Sequence, residues 1–211
     1  NYENIQLRME KLKNYSWVEI RGKALAAIIH NLGDKKLICS WAKNNESDEY
    51  NKKYKNKNVD LSFSLEHNNK AVEHALKGRF AAADEELLLA EQMDPKFTII
   101  HNNYGVLKLI RGEYEEAKAH FDRALELNKK LPIVYYNLAV YFHQLGKQKE
   151  ALELYEKSLS LDNTMYVSQI SMGDLFYQMD DVPKAIACWE RALQLGVVPE
   201  LAKRRLKYKQ V

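Results

Sequence analysis

Apolar residues of two sizes recur along residues 64–199 in columns with a fixed spacing. One column holds Ala83, Ala117, Ala151 and Ala185, each 34 residues after the one before. In the same register, small residues stand at Ala71, Gly105, Ala139 and Gly173, and large ones at Leu87, Phe121, Tyr155 and Trp189. An interval of this length indicates a repeated helix–turn–helix unit. The pattern predicts four units, at 64–97, 98–131, 132–165 and 166–199.

The residue types in these columns fit pairs of antiparallel helices. Small residues let two helices approach closely, and a bulky residue about one turn away fills the space beside them. Gly78, Gly112 and Gly146 come where a first helix should end, since glycine readily takes the positive φ that closes a helix. Asp180 replaces the glycine in the fourth unit.

These columns together resemble the tetratricopeptide repeat family, in which small and aromatic residues hold fixed offsets in a 34-residue helix–turn–helix unit. Asp94-Pro95 closes the first unit as is usual in the family. The resemblance covers 136 of the 211 residues. It implies an all-α fold, a right-handed superhelical solenoid of four repeats. Residues 200–211 then predict a C-terminal capping helix, with apolar residues on one face and basic residues on the other.

Residues 1–43 follow none of these columns. Ser16 followed by Glu19 has the pattern of a capping box, and apolar residues at helical spacing then continue to Leu32-Gly33. With a shorter apolar pattern before it, this predicts a small N-terminal helical segment, a helix pair. Residues 35–43 fit either a helix or a strand. Residues 44–63 are predicted to be a flexible charged linker, because 44–58 contain no aliphatic residue.

The function of segment 1–43 stays open between two hypotheses. The segment docks on the repeats and caps the first of them, or it completes its own small core with a partner. The apolar residues expected to mediate either contact are Trp17, Ile20, Ile28 and Trp41.

Composition excludes several protein classes. With 46% hydrophobic and 29% charged residues, 8 Gly and 2 Cys, the chain is neither collagen-like, nor a disulfide framework, nor wholly disordered. The net charge of +3 combines an acidic excess over 64–199 with basic ends, which is unlike a nucleic-acid footprint. Nucleic acid is therefore a disfavoured partner. Binding of nucleic acid or a membrane surface through the basic ends is the least favoured alternative.

The composition and the first residue bear on the localisation. The Asn- and Lys-rich composition is similar to that of envelope-associated tetratricopeptide repeat proteins of spirochaetes, which implies a bacterial cell envelope or periplasm, with the cytoplasm as the alternative. The first residue is Asn1 rather than Met, so we expect that a leader, an anchor or an expression cut preceded it, and an anchor would imply membrane association.

Sequence motifs for catalysis are missing. The six histidines form no HExxH pattern, and Cys39 and Cys188 match no metal or redox spacing. No nucleophile elbow or phosphate-binding glycine loop occurs. The sequence predicts a protein that is not an enzyme, with no cofactor, no metal and no small-molecule substrate.

The resemblance implies that the first helix of each repeat lines a concave groove that holds a partner protein's helix or extended segment. The groove residues would be Asn68, Val72, Ile99, Asn102, Val106, Leu109, Ile133, Tyr136, Val140, His143, Ile170, Asp174 and Tyr177. Co-chaperones of the family carry Lys and Arg here to bind a terminal carboxylate, and those residues are absent, so an acidic chaperone tail is disfavoured.

Three hypotheses remain for this mostly apolar strip. A partner's amphipathic helix or extended segment covers it, the chain's own residues 17–31 cover it, or the side chains only pack between neighbouring repeats. The favoured function is a non-enzymatic scaffold that binds and stabilises a partner protein through the groove, the N-terminal segment or both. The runner-up is a secretion-type chaperone for an unfolded client.

Overall fold

The computed structural model describes the backbone of residues 15–19, 25–32, 35–42, 61–195 and 205–206, and side chains within 63–195 and 205–206. Residues 61–195 form eight helices in four consecutive antiparallel pairs. In order along the chain, these are α1 (Leu61–Leu76), α2 (Phe80–Met93), α3 (Thr98–Ile110), α4 (Tyr114–Leu127), α5 (Pro132–Gln144), α6 (Gln148–Leu161), α7 (Tyr166–Gln178) and α8 (Val182–Gln194). The predicted all-α fold of helix–turn–helix repeats is confirmed for this part of the chain.

The cores of the four helix pairs use the residues that form the sequence columns. Ala83, Ala117, Ala151 and Ala185 are all fully buried on the second helices. A Cβ atom built on Gly105 would lie 2.5 Å from the Phe121 ring. One built on Gly173 would lie 2.4 Å from Nε1 of Trp189. The close approach of these two rings therefore leaves no room for a side chain at Gly105 or Gly173.

The turn between the two helices of each pair contains a residue with positive φ, as predicted. Gly78, Gly112 and Gly146 have φ of 71°, 77° and 73°, and Asp180 takes φ of 62° at the same place in the fourth repeat. The backbone N–H of Asp181 donates to the carbonyl of Phe176 at 2.9 Å, which closes this helix end. A side chain at positive φ is strained, although less so for Asp than for most residues.

We expect Asp180→Gly to stabilise the chain by about 1 kcal/mol, because glycine takes this backbone conformation without a Cβ clash. Denaturant unfolding followed by circular dichroism measures the change. The control is Gly146→Asp, which should lower stability by a similar amount. Destabilisation by Asp180→Gly would contradict the expectation.

Two compact units divide the chain, Asn1–Lys129 and Lys130–Val211. The first contains three strands and the first two repeats, and the second contains the third and fourth repeats. The predicted capping helix at 200–211 is described only at Arg205 and Leu206, which are helical.

The N-terminal segment contains a three-stranded antiparallel sheet. Its strands are β1 (Tyr15–Glu19), β2 (Leu25–Leu32) and β3 (Lys35–Ala42), in the order β1-β2-β3. The helix predicted from Ser16 to Leu32, and with it the N-terminal helix pair, is wrong for these residues. Of the element at 35–43, which the sequence left open, residues 35–42 form a strand.

Local sequence explains why strands form here. Trp17, Val18, Ile28 and Ile29 are aromatic or β-branched and favour extended backbone. Leu32 pairs with Lys35, so only Gly33-Asp34 separates the two strands, and such a dipeptide is typical of a hairpin. The shorter apolar pattern before Tyr15 and most of the predicted linker lie outside the described residues. α1 begins at Leu61, so the last residues of that linker are helical.

Candidate functional site

The third strand lies beside the first helices of the first two repeats. Within the unit Asn1–Lys129, β3 is next to both α1 and α3. The predicted groove residues on these helices are all buried; we call them the amino-terminal groove residues, and they are Asn68, Val72, Ile99, Asn102, Val106 and Leu109. The sequence offered residues 17–31 as an intramolecular cover, whereas the strand found beside these helices is 35–42.

Buried asparagines connect α1 to α3. Asn103 Nδ2 donates a hydrogen bond to Asn68 Oδ1 at 2.8 Å. Asn102 Nδ2 donates to Asn103 Oδ1, and Asn68 Nδ2 donates to Asn69 Oδ1, both at 3.2 Å. Each of the four makes at least one further interaction. An amide both donates and accepts, so this chain of bonds fixes the two repeats in register.

This network was only partly predicted. The sequence placed Asn68 and Asn102 in the groove but did not connect them. The available signal was the Asn-Asn pair that recurs at one offset, at 68–69 and again at 102–103.

In the unit Lys130–Val211, most predicted groove residues pack inside the repeats. The carboxy-terminal groove residues are Ile133, Tyr136, Val140, His143, Ile170, Asp174 and Tyr177, and the first five of them are buried. The Tyr136 ring centroid lies 5.8 Å from that of Tyr155 on α6. Burial raises the pKa of Tyr136 well above its usual range, although a hydrogen bond with Ser171 on α7 acts in the opposite direction. Tyr136 therefore packs between helices, as the third sequence hypothesis proposed for such residues.

Asp174 is held by two cationic or polar neighbours. Trp189 Nε1 donates to Asp174 Oδ1 at 3.1 Å, and Arg205 Nη2 donates to Asp174 Oδ2 at 2.9 Å. The Asp174 side chain is only 17% exposed, so this pairing offsets the cost of removing its charge from water. Arg205 belongs to the segment predicted to cap the last repeat.

Tyr177 is the most accessible of the predicted groove residues, with 53% of its surface exposed. Its ring centroid lies 5.8 Å from that of Trp189. His143 Nε2 donates to Gln178 Oε1 at 3.0 Å, which joins the ends of α5 and α7. Leu145, just beyond His143, and Met179, just beyond Gln178, are also largely exposed. We call Leu145, Tyr177 and Met179 the exposed apolar cluster.

The predicted N-terminal docking residues fall on different strands of the sheet. Trp17 lies in β1 and pairs with Ile28 in β2, and Trp41 lies in β3 and pairs with Ala26. Ile20 lies outside the described residues.

Several histidines of the described repeats contact a side chain of the neighbouring helix. His67 Nδ1 lies 2.6 Å from Glu86 Oε2, which links α1 to α2. The ring of His120 stacks on Tyr104 at 4.6 Å and faces His101 at 6.0 Å. Over the part of the chain that the structure describes, no group of three His, Cys, Asp or Glu residues is arranged to hold a metal ion.

Burial is the main reason that the pKa of His120 is lowered, from 6.5 to about 4. The charged groups around it are His101 and Lys108, which lower the pKa further, and Glu116 and Asp84, which raise it. Between these two pH values the unfolded chain binds a proton that the folded chain does not. Stability should therefore fall as the pH drops from 6.5 towards 4, and change no further through this group below that pH.

We expect His120→Phe to remove this pH dependence while keeping the stacking on Tyr104. The full pKa difference corresponds to roughly 3 kcal/mol between neutral pH and about pH 4. Because the His120 side chain is partly exposed, we expect the wild-type chain to lose about 1–2 kcal/mol relative to the variant. Urea unfolding at several pH values measures the difference. Parallel pH profiles of the two chains would contradict the expectation.

Comparisons with known proteins identify the repeats. Residues 97–164 match the family model described as tetratricopeptide repeat. This part of the chain consists of tetratricopeptide repeats. The match confirms, for these residues, the family resemblance drawn from the sequence columns. The similarity to envelope-associated members in spirochaetes remains a prediction.

Several solved structures have a similar fold. MamA aligns with 70% of this chain and 83% of its own, at 22% identity and a TM-score of 0.54. The Cut9-Hcn1 hetero-tetramer of APC/C aligns with 69% of this chain and 29% of its own, at 20% identity and a TM-score of 0.60. PilW, a type IV pilus biogenesis factor, aligns with 62% and 61%, at 18% identity and a TM-score of 0.58. At these identities the likeness concerns the fold.

No curated protein sequence matches the chain significantly. Among the helices that the structure describes, none combines the length and apolar character needed to span a membrane.

Proposed function

We propose that this tetratricopeptide repeat protein is a non-enzymatic scaffold that binds and stabilises a partner protein through the first helices of its repeats. The observation that carries the proposal is the position of β3, an extended segment beside α1 and α3. A surface that accommodates one extended segment has the shape and chemistry to bind another. Repeats of this family generally serve protein interaction, and the similar Cut9-Hcn1 structure is described as a hetero-tetramer.

The charged clusters of the described repeats indicate a structural rather than a catalytic role for their side chains. Lys108 Nζ lies 2.8 Å from Glu113 Oε2 and 2.7 Å from Glu116 Oε2, and Arg111 pairs with Asp84 and Glu113. These charges neutralise one another on adjacent helices. None of these clusters combines a nucleophile with a general base, as a hydrolytic site requires.

The exposed apolar cluster offers an accessible contact within the unit Lys130–Val211. Leu145, Tyr177 and Met179 are 40%, 53% and 40% exposed and lie near the joined ends of α5 and α7. Grouped large apolar side chains on a surface commonly mark interaction sites. Tyrosine is also common at the centre of protein interfaces, where its ring is buried and its hydroxyl binds a polar partner. The partner segment expected here is apolar.

Site-specific photo-cross-linking in the native cell tests the proposal. A photoreactive phenylalanine analogue replaces Tyr177, and the control carries it at Lys157, an exposed residue on α6. We expect a defined cross-linked protein from position 177 and only background from position 157. Adducts of equal amount from both positions, or none above background at 177, contradict the proposal. A broad mixture of unfolded proteins at 177 would instead favour a chaperone.

A further inference from the structure

We infer that β3 is an intramolecular occupant of the amino-terminal groove residues, and that a partner's extended apolar segment binds there by replacing β3. The inference rests on the proposed function and adds to it the kind of partner and a means of regulation. The surface on α1 and α3 is covered within the chain, so binding there requires an exchange of one strand for another.

Burial and position identify β3 as the occupant. Val72, Ile99, Val106 and Leu109 are aliphatic residues on α1 and α3, and each is buried. β3 adjoins both of these helices. Its eight residues span about 26 Å at the usual rise of an extended chain, whereas packed helices lie about 10 Å apart. One strand is therefore long enough to lie across both first helices.

The sheet order supplies a reason for strand recognition. β3 is the last strand in the order β1-β2-β3, so within the described sheet it pairs on one side only, with β2. The N–H and C=O groups on its other edge need partners when they are removed from water. Asn68, Asn102 and Asn103 are buried on the helices that β3 adjoins. Side-chain amides donate and accept, which suits the main chain of an extended segment whatever its sequence.

The sequence of β3 indicates the partner chemistry. The strand has the central apolar run Leu37-Ile38-Cys39, with lysines before it and Ser40-Trp41 after it. A competing segment would be extended, have a short aliphatic centre and contain no proline there, because proline cannot supply a main-chain donor.

The connection to α1 permits exchange. Residues 43–60 separate β3 from α1, and eighteen residues reach at most about 60 Å when extended. β3 can therefore leave the groove while it stays attached to the chain. As an attached competitor it acts at an effective concentration in the millimolar range, which weakens binding of any free segment.

Cross-linking from β3 tests the occupancy in the full-length chain. A photoreactive residue at position 38 should cross-link to peptides from Leu61–Leu76 and Thr98–Ile110, identified by mass spectrometry. The same residue at position 18 on β1 serves as the control and should not give these products. Cross-links from position 38 that fall elsewhere overturn the inference and leave the proposed function to the test at Tyr177.

Peptide binding tests the exchange. The probe is a fluorescent synthetic peptide of residues 34–43 with serine in place of Cys39, and the control peptide has the same composition in scrambled order. The full-length variant Ile38→Pro should bind the probe at least about tenfold more tightly than the wild-type chain, because its own strand no longer competes. Val18→Pro should bind it like the wild type.

Circular dichroism establishes that Ile38→Pro keeps its helical repeats before binding is measured. Equal binding of the probe by the wild type and both variants overturns the exchange, as does equal binding of the scrambled peptide. If Ile38→Pro loses its helices, then β3 belongs permanently to the core, and the exchange is wrong even when the cross-links agree.

Discussion

Replacing Val106 by glutamate is expected to destabilise the chain by about 3–5 kcal/mol. Val106 is fully buried on α3, and β3 lies beside this helix. A carboxylate placed there loses its hydration, and the neighbouring groove residues Val72, Ile99 and Leu109 are aliphatic. The side chain would either stay charged at this cost or bind a proton at neutral pH, which also costs free energy. Urea unfolding at neutral pH, followed by circular dichroism, measures the loss.

Tyr177→Glu is the matched control for this substitution. Tyr177 was predicted for the same groove but is largely exposed, so the charge stays in water and stability should change by no more than about 0.5 kcal/mol. Equal stability of Val106→Glu and the wild type would mean that the surface of α3 is accessible in solution. That result would contradict the covered state from which the strand exchange starts.

The contrast between these two residues also decides how partner binding should be probed. A charged substitution at Val106 or Val140 would lower partner binding simply by unfolding a repeat, since both are buried. Tyr177 is exposed, so a substitution there tests the proposed partner binding without unfolding a repeat.

The repeats could be predicted from sequence because their signal is local and occurs four times. Each helix pair requires a small residue opposite a large one, so Gly105 with Phe121 and Gly173 with Trp189 appear as columns in the sequence. The glycines of the turns are similarly fixed by backbone conformation. Even the exception, Asp180, occupies the left-handed conformation that its column required.

The N-terminal strands could not be predicted in the same way, because a short apolar segment fits two periods. Trp17, Ala24 and Ile28 match helical spacing, and the capping pattern at Ser16 also favours a helix. The β-branched residues of the same segment favour a strand. Leu32-Gly33 fits the end of a helix, although Gly33-Asp34 also fits the turn of a hairpin. Pairing between strands is a tertiary contact that overrides local preference.

The predicted groove residues lie on the first helices of the repeats, and their role in partner binding stays a prediction. Their burial could not be predicted, because it depends on contacts distant in sequence. β3 beside α1 and α3 accompanies the burial of Val106, and Tyr136 packs against Tyr155. Asp174 was expected on a partner surface, and its pairing with Arg205 joins residues 31 apart. None of these contacts leaves a periodic signal in the sequence.

Gly105→Ala is expected to destabilise the chain by about 2–3 kcal/mol, although alanine favours helices more than glycine does. The added Cβ would lie 2.5 Å from the ring of Phe121, a residue that is fully buried and has little room to move. The first repeat has a different pair at the same two positions. Ala71 lies opposite Leu87 there, and both residues are buried. Leu87 is smaller than Phe121 and leaves room for the methyl group of Ala71.

A double-mutant cycle tests this size compensation. Phe121→Leu alone should cost about 1–2 kcal/mol through the cavity that it leaves, whereas Gly105→Ala with Phe121→Leu should be within about 1 kcal/mol of the wild type. The coupling between the two sites should then be about 2–3 kcal/mol in favour of the double variant. Strictly additive losses would mean that the close approach of α3 and α4 is set elsewhere. A favourable coupling would show that the cost of alanine at position 105 comes from the ring of Phe121.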